Sequence, residues 1–305
     1  MRRLHYHLVD VFTDRAFGGN QLAVFTNGRG ISSELMQLLI KELNLSEATY
    51  VLPPSNPANT YRVRIFTPAK ELPLAGHPTI GTAFILAREH MIEREGDSAN
   101  IVFEEGVGDI PVSIQFNGDQ PGMIWMTQPN PQFGRQANDV ERADIAAMLS
   151  LSPDALDRRY PIQTVSAGVP FMFVPIRDLA SVRNIKMRAD INERVMGDFG
   201  TTEVFVFTTE VENSGSTVHS RMFAPMLGVT EDAATGGATG PLGAYLVRYG
   251  IGAAAPTTRM VSEQGIEMGR PSFLHIEVDQ QGSEITAVRV GGQCHYMGEG
   301  AFEVE

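Results

Sequence analysis

The sequence predicts an α+β protein in which one unit, a short-stranded sheet curled around a buried helix, is built twice. Three observations carry that reading: collinear repeats, an apolar helix in each repeat that lacks a polar face, and β-branched or aromatic runs around it. Arg64-Ile-Phe66-Thr-Pro68 recurs as Arg221-Met-Phe223-Ala-Pro225, an offset of 157 residues (221 − 64). A Gly/Thr-rich segment follows each copy, Gly76-His77-Pro78-Thr79-Ile80-Gly81 and Gly236-Gly237-Ala238-Thr239-Gly240-Pro241, and runs into an apolar stretch at 82–87 or 242–247. Next come a glycine bend and a β-like run: Glu105-Gly106-Val107-Gly108 before 111–116, and Gln264-Gly265-Ile266 before 273–278. Upstream, residues 48–52 and 203–207 read as matching strands behind helical stretches. Chance supplies one such pair readily; four blocks in one order, at offsets near 155–160, indicate duplication.

Each element has its own local reason. Residues 5–12, 21–25, 61–66, 101–103, 171–175 and 217–223 are β-branched or aromatic runs bounded by turn residues, and read as strands. Residues 33–43 carry Leu35, Leu38, Leu39 and Leu43 behind a serine cap, with Asn44 closing an amphipathic helix. Pro-Pro-Ser-Asn-Pro-Ala-Asn at 53–59 is a surface loop. Ile80, Ala83, Phe84, Ile85, Leu86 and Ala87 cover most of a helix circumference, which means burial. Leu242, Ala244, Tyr245, Leu246 and Val247 repeat the pattern until Gly250 stops it. Asp190-Ile-Asn-Glu193 has the spacing of a capping box, with Gly200 beyond the helix end. Residues 128–136, rich in Pro, Gln and Asn, read as the linker between the halves. The first copy is therefore assigned to 1–127, completed by C-terminal strands at 285–305, and the second to 128–284.

Composition removes several function classes. A chain of 305 residues, 43% hydrophobic and 20% charged, is sized for two packed domains at roughly 150 residues each. Its net charge of −12 argues against neutralising nucleic-acid phosphates or anionic lipid, so neither partner is expected. A lone Cys294 provides no intramolecular disulfide and no multi-thiolate zinc site, and reads as a packed small residue. Met1-Arg2-Arg3 starts like a signal n-region, but His5, His7 and Asp10 interrupt the apolar run that should follow; a cytoplasmic protein is expected. His5 and His7 share one face of a strand without a third ligand nearby, so no metal is expected. With no P-loop, no ordered dinucleotide fingerprint and only Lys41, Lys70 and Lys186, no cofactor is expected either. Trp125 and the methionines read as core.

The helix starts offer chemistry. A helix N-terminus presents unpaired N–H groups and partial positive charge, and glycine lets a ligand approach them. If the two halves bring their starts together, a cleft between them suits a small carboxylate. Ionisable residues break the repeat: His77 stands at the first helix start where the second has Ala238 or a near neighbour, and Glu231-Asp232 precede the second helix where Glu71 precedes the first. Glu47 stands before the strand at 48–52, and its counterpart near Thr202 reads as uncharged. Such asymmetry suits acid–base work at a domain interface. Plain structural readings stand beside it: Gly-Pro-Thr clusters as ordinary helix beginnings, Glu47 as a turn acid, Asp232 as a helix cap, His77 as a surface imidazole.

These residues resemble the phenazine-biosynthesis PhzF-like isomerases, which share the diaminopimelate-epimerase fold. The resemblance is carried by Asn44-Leu-Ser-Glu47, Phe66-Thr-Pro68, Glu71-Leu-Pro-Leu-Ala-Gly-His77-Pro and Arg221-Met-Phe223-Ala-Pro225. It continues through Gly228-Val-Thr-Glu-Asp232-Ala-Ala-Thr-Gly236, Gly240-Pro-Leu and Gln264-Gly265-Ile-Glu-Met-Gly-Arg-Pro-Ser272, almost the whole chain. It implies two similar domains, each a β-barrel-like sheet around a central helix, with the active site between them and commonly a homodimer. It further implies a cofactor-free proton shift on a small carboxylate, of the trans-2,3-dihydro-3-hydroxyanthranilate isomerase type. Glu47 matches the glutamate that moves the proton, and His77 and Asp232 match its partners. Gly76, Thr235, Gly236, Gly237 and Thr239 fall where the substrate is held. Related two-cysteine racemases are excluded, because neither helix start has a cysteine. Two departures stand out: Gly237 where members carry serine, with Thr235 or Thr239 as substitutes for its hydroxyl, and Gly19-Asn20-Gln21 where Gly-Asn-Pro is usual. Gly237 keeps another reaction on the same frame (lyase or hydrolase) in view, and a non-catalytic carboxylate-binding scaffold is the alternative from a different class.

Overall fold

The short β-branched and aromatic runs form strands, and the strands follow one order twice. The computed structural model describes residues 1–252 and 255–304. Its chain contacts separate two units, Met1–Thr127 with Val290–Glu305, and Gln128–Arg289. Of the C-terminal stretch assigned to the first copy, residue 305 lies outside the described residues.

The first unit opens with β1 (Arg2–Val11), β2 (Asn20–Phe25), α1 (Ser33–Leu43), β3 (Glu47–Leu52), β4 (Tyr61–Phe66), β5 (Glu71–Leu72) and α2 (Gly76–Arg88). It continues with β6 (Ser98–Glu105), β7 (Gly108–Asn117) and β8 (Gln120–Gln128). The second runs β9 (Gln132–Gln136), α3 (Asp139–Met148), β10 (Gln163–Ser166), β11 (Pro170–Pro175), α4 (Leu179–Arg183), α5 (Ala189–Met196), β12 (Val204–Thr208) and β13 (Val218–Ala224). Then follow β14 (Val229–Asp232), α6 (Gly236–Arg248), β15 (Thr257–Gln264), β16 (Ser272–Gln281) and β17 (Glu284–Gly292), and β18 (Cys294–Val304) returns to the first unit.

Pairing repeats strand for strand. In the first unit β1 lies antiparallel to β18 and β2, β2 runs parallel to β3, β3 is antiparallel to β4, and β4 meets β5 antiparallel and β6 parallel. In the second, β10 lies antiparallel to β9 and β11, β11 runs parallel to β12, β12 is antiparallel to β13, and β13 meets β14 antiparallel and β15 parallel. All four parallel β-β steps carry a helical crossover, as parallel neighbours require.

Each sheet wraps one apolar helix. Every residue of α2 from Gly76 to Ala87 is buried, against β1, β2, β3, β7 and β18. Leu242, Tyr245 and Leu246 of α6 are fully buried among Phe171, Phe173, Phe205, Phe207, Ile276 and Val278. Burying each large apolar side chain stabilises the fold by about 1.5–3 kcal/mol. Other helices cover the opposite faces: Met36, Leu39 and Ile40 of α1 pack on Phe25, Tyr50 and Phe66, and α3 and α5 cover β11 and β12.

Small polar devices are duplicated too. Arg64 grips Glu71 with two hydrogen bonds of 2.7 Å while lying over Phe66. Arg221 grips Glu231 at 2.8 Å twice while lying over Phe223. Glu104 accepts the N–H groups of Ser55 and Asn56 at 2.7 and 2.6 Å, and Glu263 accepts those of Glu212 and Asn213 at 2.6 and 3.0 Å.

Four local expectations need correction. Residues 132–136 are strand β9, paired with β10, so only the short stretch before them is irregular. Helix α5 has Arg188 at its N-cap with no side-chain cap bond; Asp190 binds the Arg188 guanidinium at 2.9 and 2.7 Å, so its carboxylate caps nothing. Leu38 is 60% exposed, and the buried stripe of α1 is Met36, Leu39 and Ile40. Trp125 is half-buried, and Met91, Met226 and Met268 are exposed, so the core reading holds for only some of these residues.

Candidate active site

The first cluster lies where β2, β3 and α2 begin. Gly19 takes φ +59, and a Cβ there would sit 2.2 Å from the Val11 carbonyl oxygen, so only glycine makes this turn. The turn delivers Asn20 to the start of β2, beside β3, whose first residue Glu47 pairs in parallel with Leu22. His77 is the second residue of α2, after Gly76, and the Ala75 N-cap offers no side-chain acceptor. Glu47 Oε2 lies 3.4 Å from His77 Nδ1, with side chains 13% and 5% exposed. Asn20 Nδ2 lies 3.2 Å from the same ring nitrogen, and Ser46 Oγ donates to Asn20 Oδ1 at 3.1 Å. His77 Nε2 is buried without a hydrogen-bond partner.

Burial pushes the His77 pKa down to about 3, and a contact with the Gln21 backbone opposes the shift only in part. The ring is therefore neutral near pH 7, and its contact with Glu47 is that of an imidazole with a carboxyl group, not an ion pair. Such a ring can donate or accept at its free nitrogen without carrying charge.

The second cluster lies at the start of α6. Asp232 Oδ2 accepts from Thr235 Oγ1 at 2.6 Å. Gln264 Nε2 donates to the Asp232 carbonyl at 2.8 Å and to Thr235 Oγ1 at 3.0 Å, while its Oε1 accepts the Thr235 N–H at 3.1 Å. Thr239 Oγ1 is turned back to the Thr235 carbonyl at 2.9 Å, and the Gly236 carbonyl accepts from Gln128 at 2.9 Å. Gly237, the second helical residue, is half-buried and carries no hydroxyl. Of the two threonines considered as substitutes, Thr235 is the one bonded to Asp232.

Strand register settles the repeat more finely than block spacing. Ala48 pairs with Phe66 and Val204 with Phe223, so the counterpart of Glu47 is Glu203, at offset 156 (203 − 47). The expected uncharged counterpart is thus wrong: both units have an acid there. Glu203 spends its Oε2 on Thr201 Oγ1 at 2.5 Å and the Thr202 N–H at 3.0 Å, whereas Glu47 faces a histidine. Aligning Gly76 with Gly236 sets His77 opposite Gly237, not Ala238. Leu72 pairs with Ile65 and Asp232 with Met222, so Asp232 replaces a leucine. Asn20, Ser46 and Gln264 escaped the sequence reading as site residues; Asn20 had been visible only as part of a loop departing from the family pattern.

The pattern of the family described as "Phenazine biosynthesis-like protein" matches residues 9–300. The chain belongs to that PhzC/PhzF family. It is 33% identical over 296 residues to a trans-2,3-dihydro-3-hydroxyanthranilate isomerase of Pseudomonas aeruginosa, covering 97% of this chain and 98% of the relative. An uncharacterized isomerase of Mesorhizobium japonicum is 31% identical, with 98% and 99% covered. Among solved structures, a PhzF-family phenazine biosynthesis protein of Bacillus anthracis superposes with a TM-score of 0.90 at 25% identity, each chain covered completely. This PhzF family member is an isomerase, and its class works on small carboxylates without a cofactor. That sets aside the non-catalytic scaffold. No described helix is long and apolar enough to cross a membrane.

Proposed function

We propose that this PhzF-like isomerase moves one proton between two carbons of a small cyclic or amino-acid-derived carboxylate, with Glu47 as the shuttle. The observation that supports this reading is the 3.4 Å contact between Glu47 and the neutral His77, both largely withdrawn from water. A carboxylate that first takes and later returns a proton works best when closure removes it from solvent, which brings its pKa toward that of the carbon acid. His77 orients Glu47 through Nδ1 and leaves Nε2 to a polar group of the substrate. Asp232, steadied by Thr235, is the acceptor for a substrate amino or hydroxyl group. Gly76, Gly236 and Gly237 place backbone N–H groups in the first turns of α2 and α6, which suit a carboxylate. Trans-2,3-dihydro-3-hydroxyanthranilate, the substrate in the names of several relatives, is the first compound to try.

The test is isotopic. In deuterated water the wild-type enzyme should place solvent deuterium on a substrate carbon, and Glu47→Gln should place none while melting within a few degrees of the wild type. Undiminished exchange by a folded Glu47→Gln protein would overturn the assignment.

A further inference from the structure

The first unit buries another carboxyl group, Glu105, the last residue of β6, which is 8% exposed. Its Oε1 lies 2.5 Å from Thr79 Oγ1, and its Oε2 is buried without a hydrogen-bond partner. Thr79 Oγ1 also lies 2.7 Å from the carbonyl oxygen of Ala75, the N-cap of α2. A hydroxyl carries one proton, and a carbonyl can only accept. The Thr79 proton therefore goes to Ala75, and the contact with Glu105 needs a second proton, which only the carboxyl can supply. Thr239 makes the same choice in the other unit, donating to the Thr235 carbonyl.

The surrounding charges leave Glu105 alone. Glu104, its neighbour on β6, is bound to the loop at Ser55 and Asn56. Asp109 of β7 accepts from Asn59. Arg64 of β4 is occupied by Glu71 of β5, and Arg62 of β4 lines a surface cavity with Glu104 and Glu105 without bonding to Glu105. On α2, His77 is neutral. Burial raises the Glu105 carboxyl to about 8, and the Thr79 contact offsets little of that rise.

The duplicated unit gives an independent view. Gln264 ends β15 before Gly265 as Glu105 ends β6 before Gly106, at offset 159 (264 − 105). Its permanently neutral amide holds the start of α6 through Thr235 and Asp232. The repeat thus has an amide in one unit where the other has an acid, and a protonated acid, like the amide, can donate a hydrogen bond to the helix start it adjoins.

We propose that Glu105 is a positioning residue acting as a neutral acid: its O–H donates to Thr79, Thr79 donates to Ala75, and this chain fixes the first turn of α2 and with it His77. The proposal rests on the reading of Glu47 and His77 as the reacting pair. Ionisation breaks the chain, because carboxylate and carbonyl then compete for one hydroxyl proton.

Infrared difference spectra of wild type against Glu105→Gln test the protonation state directly. The expected result is the carbonyl stretch of a protonated carboxylic acid at pH 6, lost as the pH rises through about 8. A carboxylate signal for Glu105 at pH 6 overturns the proposal. The pH profile of kcat tests the role: the wild type should lose activity in a step near pH 8 that Glu105→Gln lacks, while Thr79→Val, which breaks the chain, should lose about tenfold or more at neutral pH. An alkaline step of the same size in wild type and Glu105→Gln overturns the positioning role. The infrared band does not depend on catalysis, so a failure of the Glu47 assignment in the deuterium experiment leaves it in place, and the two failures can be told apart.

Discussion

Two buried histidines are driven in opposite directions by what they touch. His77 faces the Glu47 carboxyl at 3.4 Å, yet burial dominates and holds its pKa near 3. The unfolded chain binds that proton near pH 6.5, so folding loses stability as the pH falls from 6.5 toward 3, by at most about 1.4 kcal/mol per pH unit. Chemical denaturation across this range should show His77→Asn gaining on the wild type as acid is added. Burial would lower His219 as well, but Glu267 and Glu263, at 2.9 and 3.0 Å from its two ring nitrogens, raise it above its ordinary value. Its stabilisation is complete below the unfolded value of 6.5 and fades as the pH rises through the higher folded value; the two carboxylates, held low, lose their share below about 4.5. His219→Asn should therefore cost about 3–5 kcal/mol between these limits and less on either side, as followed by denaturation midpoints. How legible such sites are depends on what carries them. Glu47, His77 and Asp232 stood in contiguous motifs. Asn20 meets His77, and Ser46 meets Asn20, only through the parallel register of β2 and β3, and nothing local in the sequence records that register.

Among the elements, the two central helices were the most readable, because residues apolar on every side have nowhere to go but inside. Their starts are legible as well, since the Gly/Thr-rich segments lead straight into the apolar runs, and α2 and α6 begin at Gly76 and Gly236. The strand at 132–136 is hidden, since the stretch 128–136 that contains it has the Pro-, Gln- and Asn-rich composition of a loop and its partner β10 begins at Gln163, far along the chain. Close packing gives these helices a measurable weakness. A Cβ on Gly81 would come within 2.6 Å of Leu22 Cδ2 and 2.7 Å of Val11 Cγ2, and both neighbours are fully buried. Alanine favours a helix interior by about 1 kcal/mol over glycine, but the overlap opposes it by about 1–3 kcal/mol. Gly81→Ala should shift the urea midpoint downward with an unchanged slope; a rise would mean that β1 and β2 yield more easily than their burial indicates.

Over the whole molecule, duplication is readable because both copies keep the Arg-x-Phe-x-Pro run, the Gly/Thr-rich helix start and the glycine bend in one order, whereas the shared Arg–Glu clamps and loop-holding glutamates emerge only from the structure. The side chains for which chemistry is proposed are among those that differ: Glu47 faces His77 in the first unit, and Asp232 stands in the second where the first has Leu72. The units also differ in construction, with α4 and α5 in the second where the first has α1. Strand β1 of the first unit pairs along its length with β18, from Arg2 with Val304 to Val11 with Cys294, so a segment made after residues 128–289 completes a sheet begun at residue 2. A chain halted at residue 289 should yield a protease-resistant fragment mapping to 128–289 while residues 1–127 are digested, and adding a peptide of residues 290–304 should protect them. On the ribosome the second half is free to fold first, and the nascent first half must wait with an open strand edge until β18 has been made. That delay makes this edge a natural client for chaperones, and it marks residue 289 as the place to divide the protein into complementing fragments.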